Sequence, residues 1–288
     1  MEVERNVVQF SVYSIIKFEG GGEALTLAIA VRYPFVRSRQ ALESLATIRP
    51  ISFKEAIVFL TDSRWTYSDH CDDYGLKIHD IDISTMVAYS GKVNIAEHCI
   101  KNLKSRISNP RYRRIDERGI FQRTYKFHKR NNDETGIDTG TVSFILGKYL
   151  RDGKTKLIHL ESPDFKPMNV DDIVGIGDDE AYKIVISEAV PKLNILNITN
   201  SVYGDCFSIA ATISDAMLKL AIDNSTHETV GGLIQYRVLC IDGNAECELS
   251  HTQDPTGRND AWHKATATRN ELHTLEEKHK LGPDFLMK

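Results

Sequence analysis

The chain has 288 residues, 41% of them hydrophobic, with a net charge of only -4. That length can bury a sizeable core, and so small a charge excludes any whole-molecule field directed at nucleic acid or a membrane surface. The five cysteines (Cys71, Cys99, Cys206, Cys240 and Cys247) are odd in number and widely spaced, the usage of reduced thiols rather than of a disulfide scaffold. No run approaches the roughly 18 apolar residues of a membrane span, and Met1 is followed by Glu2, Glu4 and Arg5 instead of an apolar leader, so a soluble cytoplasmic protein is expected.

Partial alternation at Val8, Phe10 and Val12 suggests a strand, and Gly20-Gly21-Gly22 separates it from the next apolar run. No Lys-Ser/Thr comes after those glycines, so they form a flexible boundary and not a phosphate loop. Residues 1–25 therefore read as an N-terminal extension. From Thr26 to Val31 runs a short apolar stretch of the kind buried on both faces, and Pro34 ends it. Residues 34–55 read as an insertion with a weak helical pattern. A second buried strand, Ala56 to Leu60, leads into Thr61-Asp62-Ser63-Arg64.

Lys77 opens a hairpin with its turn near Ser84 and its end at Ser90-Gly91. Val93, Ile95, Ala96, Cys99, Ile100, Leu103 and Ile107 then recur at helical spacing, with basic residues gathered toward the C-terminal end, where the helix dipole favours cations. Residues 109–140 are strongly basic at first, with Tyr112, Phe121, Tyr125 and Phe127 interleaved. Single-stranded nucleic-acid binders use such a mixture, and salt-sensitive binding would reveal one. Without an RNA-binding motif the segment reads as a solvated helix and loop whose aromatics pack inward, and nucleic acid is not expected as a partner.

Asp152-Gly153 marks a hairpin turn between Thr141–Tyr149 and Lys156–Leu160. Val170 to Ile176 reads as one strand ending in Gly175-Ile176-Gly177, succeeded by a helix stopped near Pro191. A second helix over 209–222 and a final strand over 233–241 complete a domain spanning 26–250. The 251–288 tail is polar, with an exposed helix expected over 270–279. Cys240, Cys247 and His251 are too loosely spaced for zinc, so no metal and no cofactor is expected.

The order of strand, strand, Asp-x-Arg, hairpin opening on Lys, Gly and helix, then two strands, Gly-x-Gly, two helices and a Gly-Gly strand, resembles the proteasome-type N-terminal nucleophile hydrolases. The resemblance covers residues 26–241 and rests most on Asp62, Arg64, Lys77 and Gly91. It implies an α+β fold of the four-layer αββα type, assembly of copies into an oligomer, and a peptide or other amide as substrate. It implies that Thr26, freed by self-cleavage, is the nucleophile, with its own amine as base. Lys77 would lower the amine's proton affinity, Asp62 would orient Lys77, the Gly91 N–H would stabilise the oxyanion, and Arg64 would brace the turn.

The chain departs from the family in several places. Leu25 precedes Thr26 where self-cleaving members carry Gly, and Ile176, His227 and Val230 stand where the family carries a Ser and an Asp-x-x-Ser. Asp178 or His227 is the available polar substitute, and Thr47 is an alternative nucleophile. The competing implication of the resemblance is a catalytically inactive, ring-forming subunit whose residues 1–25 stay in place over the site.

Overall fold

A computed structural model describes residues 27–34, 55–66, 71–72, 75–109, 116–136, 138–193, 202–223, 230–231, 234–240 and 243–247. The expectations for residues 1–25, for Thr26, for most of the 34–55 insertion including Thr47, for His227 and for the tail lie outside the described residues.

Twelve strands and four helices are described. In chain order they are β1 (Leu27–Tyr33), β2 (Ala56–Asp62), β3 (Trp65–Thr66), β4 (Cys71–Asp72), β5 (Ile78–Asp82), β6 (Thr85–Gly91), α1 (Val93–Ile107) and α2 (Glu117–Thr135). Next come β7 (Val142–Tyr149), β8 (Thr155–Glu161), β9 (Met168–Val170), β10 (Ile173–Gly177), α3 (Asp179–Leu193), α4 (Val202–Asp223), β11 (Ile234–Cys240) and β12 (Gly243–Cys247). One five-stranded antiparallel sheet has the order β10-β1-β2-β11-β12, a second has the order β5-β6-β7-β8-β9, and β3-β4 is a separate small hairpin.

Strand periodicity divides each sheet into two apolar faces. Ala28, Ala30, Ile57, Phe59 and Leu239 of the first sheet meet Ile78, Met86, Ala88, Ile145 and Leu157 of the second in one core cluster. The alternate residues face outward onto helices. Leu27, Ile29, Val58, Leu60 and Val238 pack against Val185 and Ala189 of α3 and Ile209, Ile213 and Met217 of α4. Val87, Tyr89, Phe144, Leu146 and Leu160 pack against Ile95, Cys99 and Leu103 of α1 and Phe121 and Tyr125 of α2. The layers therefore run helices, sheet, sheet, helices. Each large apolar side chain so enclosed contributes about 1.5–3 kcal/mol relative to exposure, which explains why β1 and β2 are apolar at nearly every position.

Several sequence expectations need correction. The single strand over 170–176 is two strands: β9 pairs with β8 in one sheet and β10 with β1 in the other, with Asp171-Asp172 at the crossing. The final strand is a hairpin, β11 with β12. Pro191 lies inside α3, which runs on to Leu193; a proline in the last turn removes one N–H there without ending the helix. In α2, Phe121 and Tyr125 are buried as expected, but Phe127 is 54% exposed. No described helix is long and apolar enough to cross a membrane.

Candidate functional site

Strand β2 is buried along its whole length and ends on Asp62, whose side chain is fully buried. An ionised carboxylate there must be met by donors, because desolvation of an unpaired charge costs several kcal/mol. Asp62 Oδ1 accepts from Lys77 Nζ at 3.2 Å and from the Leu27 N–H at 2.9 Å, and Oδ2 accepts from the Gly231 N–H at 3.2 Å. The Lys77 side chain is itself fully buried, and its ammonium also donates to the Arg64 carbonyl. Here one carboxylate ties together the starts of β1 and β5 and the loop before β11.

The Arg64 side chain lies against Gly231, far along the chain from its own turn. A Cβ at Gly231 would stand 2.4 Å from the Arg64 Cζ, so the guanidinium lies directly on the Gly231 backbone, and a side chain there would displace it. Through that contact and the Asp62 hydrogen bond, the loop entering β11 is fixed to the end of β2.

Lys77 is linked to Gly91 through the β5–β6 pairing. The Tyr89 N–H donates to the Lys77 carbonyl at 3.3 Å, and Gly91 lies two residues farther along β6, opposite Val142 of β7. Gly91 has φ +99°, and a Cβ there would be 2.2 Å from the Thr141 carbonyl oxygen. Both facts require glycine, which lets the Thr141 backbone pack directly against Gly91.

Beside Gly91 lies a cleft of about 280 Å³ at the ends of β6, β7, β8 and β10, whose walls include Ser90, Ser143, His159, Glu161 and Gly177. Ser90 is paired with Ser143 and Ser143 with Glu161, so three polar side chains form a row across three adjacent strands. The His159 Nε2 is buried without a hydrogen-bond partner, and burial lowers the affinity of that ring for a second proton. Gly177 is also the register partner of Leu27, so this cleft borders the start of β1.

The fold therefore brings Asp62, Lys77 and the start of β1 into one hydrogen-bonded group and places Gly91 on the neighbouring strand. Among the described residues, it does not place a polar side chain at Ile176. Ile176 is 5% exposed and packs between the sheets. Asp178 caps α3, its Oδ1 accepting from the N–H groups of Glu180 at 3.0 Å and Ala181 at 2.9 Å. Sequence reasoning missed the Leu27 and Gly231 N–H donors, which carry no side-chain signal. It also missed the Ser90–Ser143–Glu161 row, which depends on strand register. Among the described residues, no group of three or more His, Cys, Asp and Glu side chains is placed to hold a metal ion. No family model matches this chain, and no curated protein matches it in sequence.

Proposed function

We propose that this chain is a divergent proteasome-type N-terminal nucleophile hydrolase that cleaves peptide or other amide bonds with Thr26. The observation that carries the reading is the buried Asp62–Lys77 pair, whose carboxylate also accepts the Leu27 N–H. Leu27 is bonded directly to Thr26, so a fixed ammonium is held at the start of the strand that the nucleophile would begin. The αββα layer order and the left-handed Gly91 support the same reading.

In this mechanism, cleavage of the Leu25–Thr26 bond frees the Thr26 amine. The Lys77 ammonium disfavours a second positive charge nearby and keeps that amine neutral and able to act as a base. The amine takes the hydroxyl proton as the Thr26 oxygen attacks the substrate carbonyl carbon. The Gly91 N–H donates to the oxyanion that forms. Collapse breaks the C–N bond, the proton passes to the departing amine, and an ester to Thr26 remains; water then hydrolyses it and restores the hydroxyl.

Hydrolysis of a panel of fluorogenic peptide amides tests the reading. Wild-type protein and Thr26→Ser turn over substrate, whereas Thr26→Ala loses activity by about 10³-fold or more, the scale of removing a nucleophile. Equal turnover by Thr26→Ala, or none by the wild type, contradicts it. The second reading, an inactive ring-forming subunit, is favoured by one observation: the buried, apolar Ile176 occupies the position of a family serine.

A further inference from the structure

Away from the Asp62 site, α1 and α2 bring two histidines together. His98 Nδ1 and His128 Nε2 are hydrogen-bonded at 3.0 Å, one ring nitrogen donating its N–H to the other, with the rings nearly perpendicular at 83°. Both rings pack edge to face against Phe127, at centroid distances of 6.0 Å and 5.6 Å. His98 and Phe127 line a groove of about 500 Å³ between the helices.

We propose that His98 and His128 form a two-imidazole site for a late first-row divalent cation, Cu²⁺ first and then Ni²⁺ or Zn²⁺, with water completing the coordination. Two nitrogens bound to one ion at about 2.0–2.1 Å stand roughly 2.9–3.4 Å apart in cis-octahedral or tetrahedral geometry, so the 3.0 Å separation already suits a shared ion, which would replace the bridging proton. The perpendicular rings can approach one ion without colliding, and Phe127 limits how far either can turn away. Ligation requires neutral imidazole. The groove also carries Arg106 and Arg123, so general attraction for cations is absent. Binding must come from imidazole donor strength, which selects Cu²⁺, Ni²⁺ and Zn²⁺ over Mg²⁺ and Ca²⁺. The sequence concealed this pair because its members lie on different helices, 30 positions apart.

The test is isothermal titration of the full chain, free of any affinity tag, with Cu²⁺, Zn²⁺ and Mg²⁺. Cu²⁺ binds more tightly than Zn²⁺, and Mg²⁺ gives no heat from this site. His98→Ala and His128→Ala each weaken Cu²⁺ binding by about 10-fold or more, since a lost ligand costs at least as much as a lost ligand-orienting partner. The chain has ten histidines in all, so the variants assign the ion. In the unmutated chain, Zn²⁺ shifts the ring-nitrogen NMR signals of His98 and His128 together, a measurement that does not depend on how the variants fold. Absence of Cu²⁺ and Zn²⁺ binding, affinity unchanged in both variants, or ring signals that do not move would overturn the proposal.

Discussion

Asp62 and Lys77 answer to different demands in the folded and the working protein. As a buried pair they are a liability unless both partners are present, because removing one leaves the other charged and desolvated. Lys77→Met is therefore expected to lower stability by about 3–5 kcal/mol in urea unfolding; adding Asp62→Leu removes the stranded charge but strips the Leu27 and Gly231 N–H groups of their acceptor, so the double variant stays destabilised. If the pair served stability alone, the fraction of Lys77→Met that stays folded would keep its activity; the hydrolase reading predicts that the folded variant is inactive.

His79 gives a second residue-level prediction. Burial, followed by the charges of Lys104 and Arg237, pushes its imidazole down to about 4, and its Nε2 is buried without a partner. In an unfolded chain a histidine titrates near ~6.5, so between these values the unfolded state takes up a proton that the folded state refuses. The stabilisation linked to His79 is complete above about pH 6.5 and declines as pH falls toward about 4. His79→Phe keeps a ring to stack on Tyr89 and removes the titration, so its stability profile is flatter than the wild type's across that window. A parallel slope in the two proteins would refute the assignment.

Among the elements, the junction of β10 and α3 shows how local chemistry positions the site. β10 delivers Gly177 beside Leu27, and Asp178 then starts α3 by accepting two of its free N–H groups, with Asp179 and Glu180 favourably placed in the first turn. Asp178→Ala is predicted to cost about 1 kcal/mol of stability, the ordinary worth of an N-cap. Thermal unfolding measures it, and no loss would show that α3 does not depend on this cap.

Across the molecule, much of the architecture was legible because it is written in local patterns. The apolar run from Thr26 to Val31 predicted burial on both faces and Ala56–Leu60 a second buried strand, and the two faces of β1 and β2 prove to be the inter-sheet core and the α3–α4 layer. The helical spacing from Val93 to Ile107 predicted α1, and Asp152-Gly153 predicted the β7–β8 turn. What was illegible depends on pairing choices. Nothing local in Val170–Ile176 says that its halves join different sheets, and nothing in a backbone N–H announces that Leu27 and Gly231 will meet Asp62. The sequence singled out Asp62 and Lys77, which the fold pairs, and Gly91 on the neighbouring strand, whereas the polar cleft beside Gly91 and the His98–His128 pair depend on register and helix packing.

If the Asp62–Lys77 pair serves a nucleophile at Thr26, the chain must cut itself before it can work. The decisive experiment is the intact mass of the purified full chain over time at neutral pH, together with that of Thr26→Ala. The wild type is expected to lose residues 1–25 and expose Thr26 as its new N-terminus, while Thr26→Ala keeps its full mass. A wild-type chain that retains residues 1–25 under every condition, or a Thr26→Ala chain cut at the same bond, would contradict the hydrolase reading.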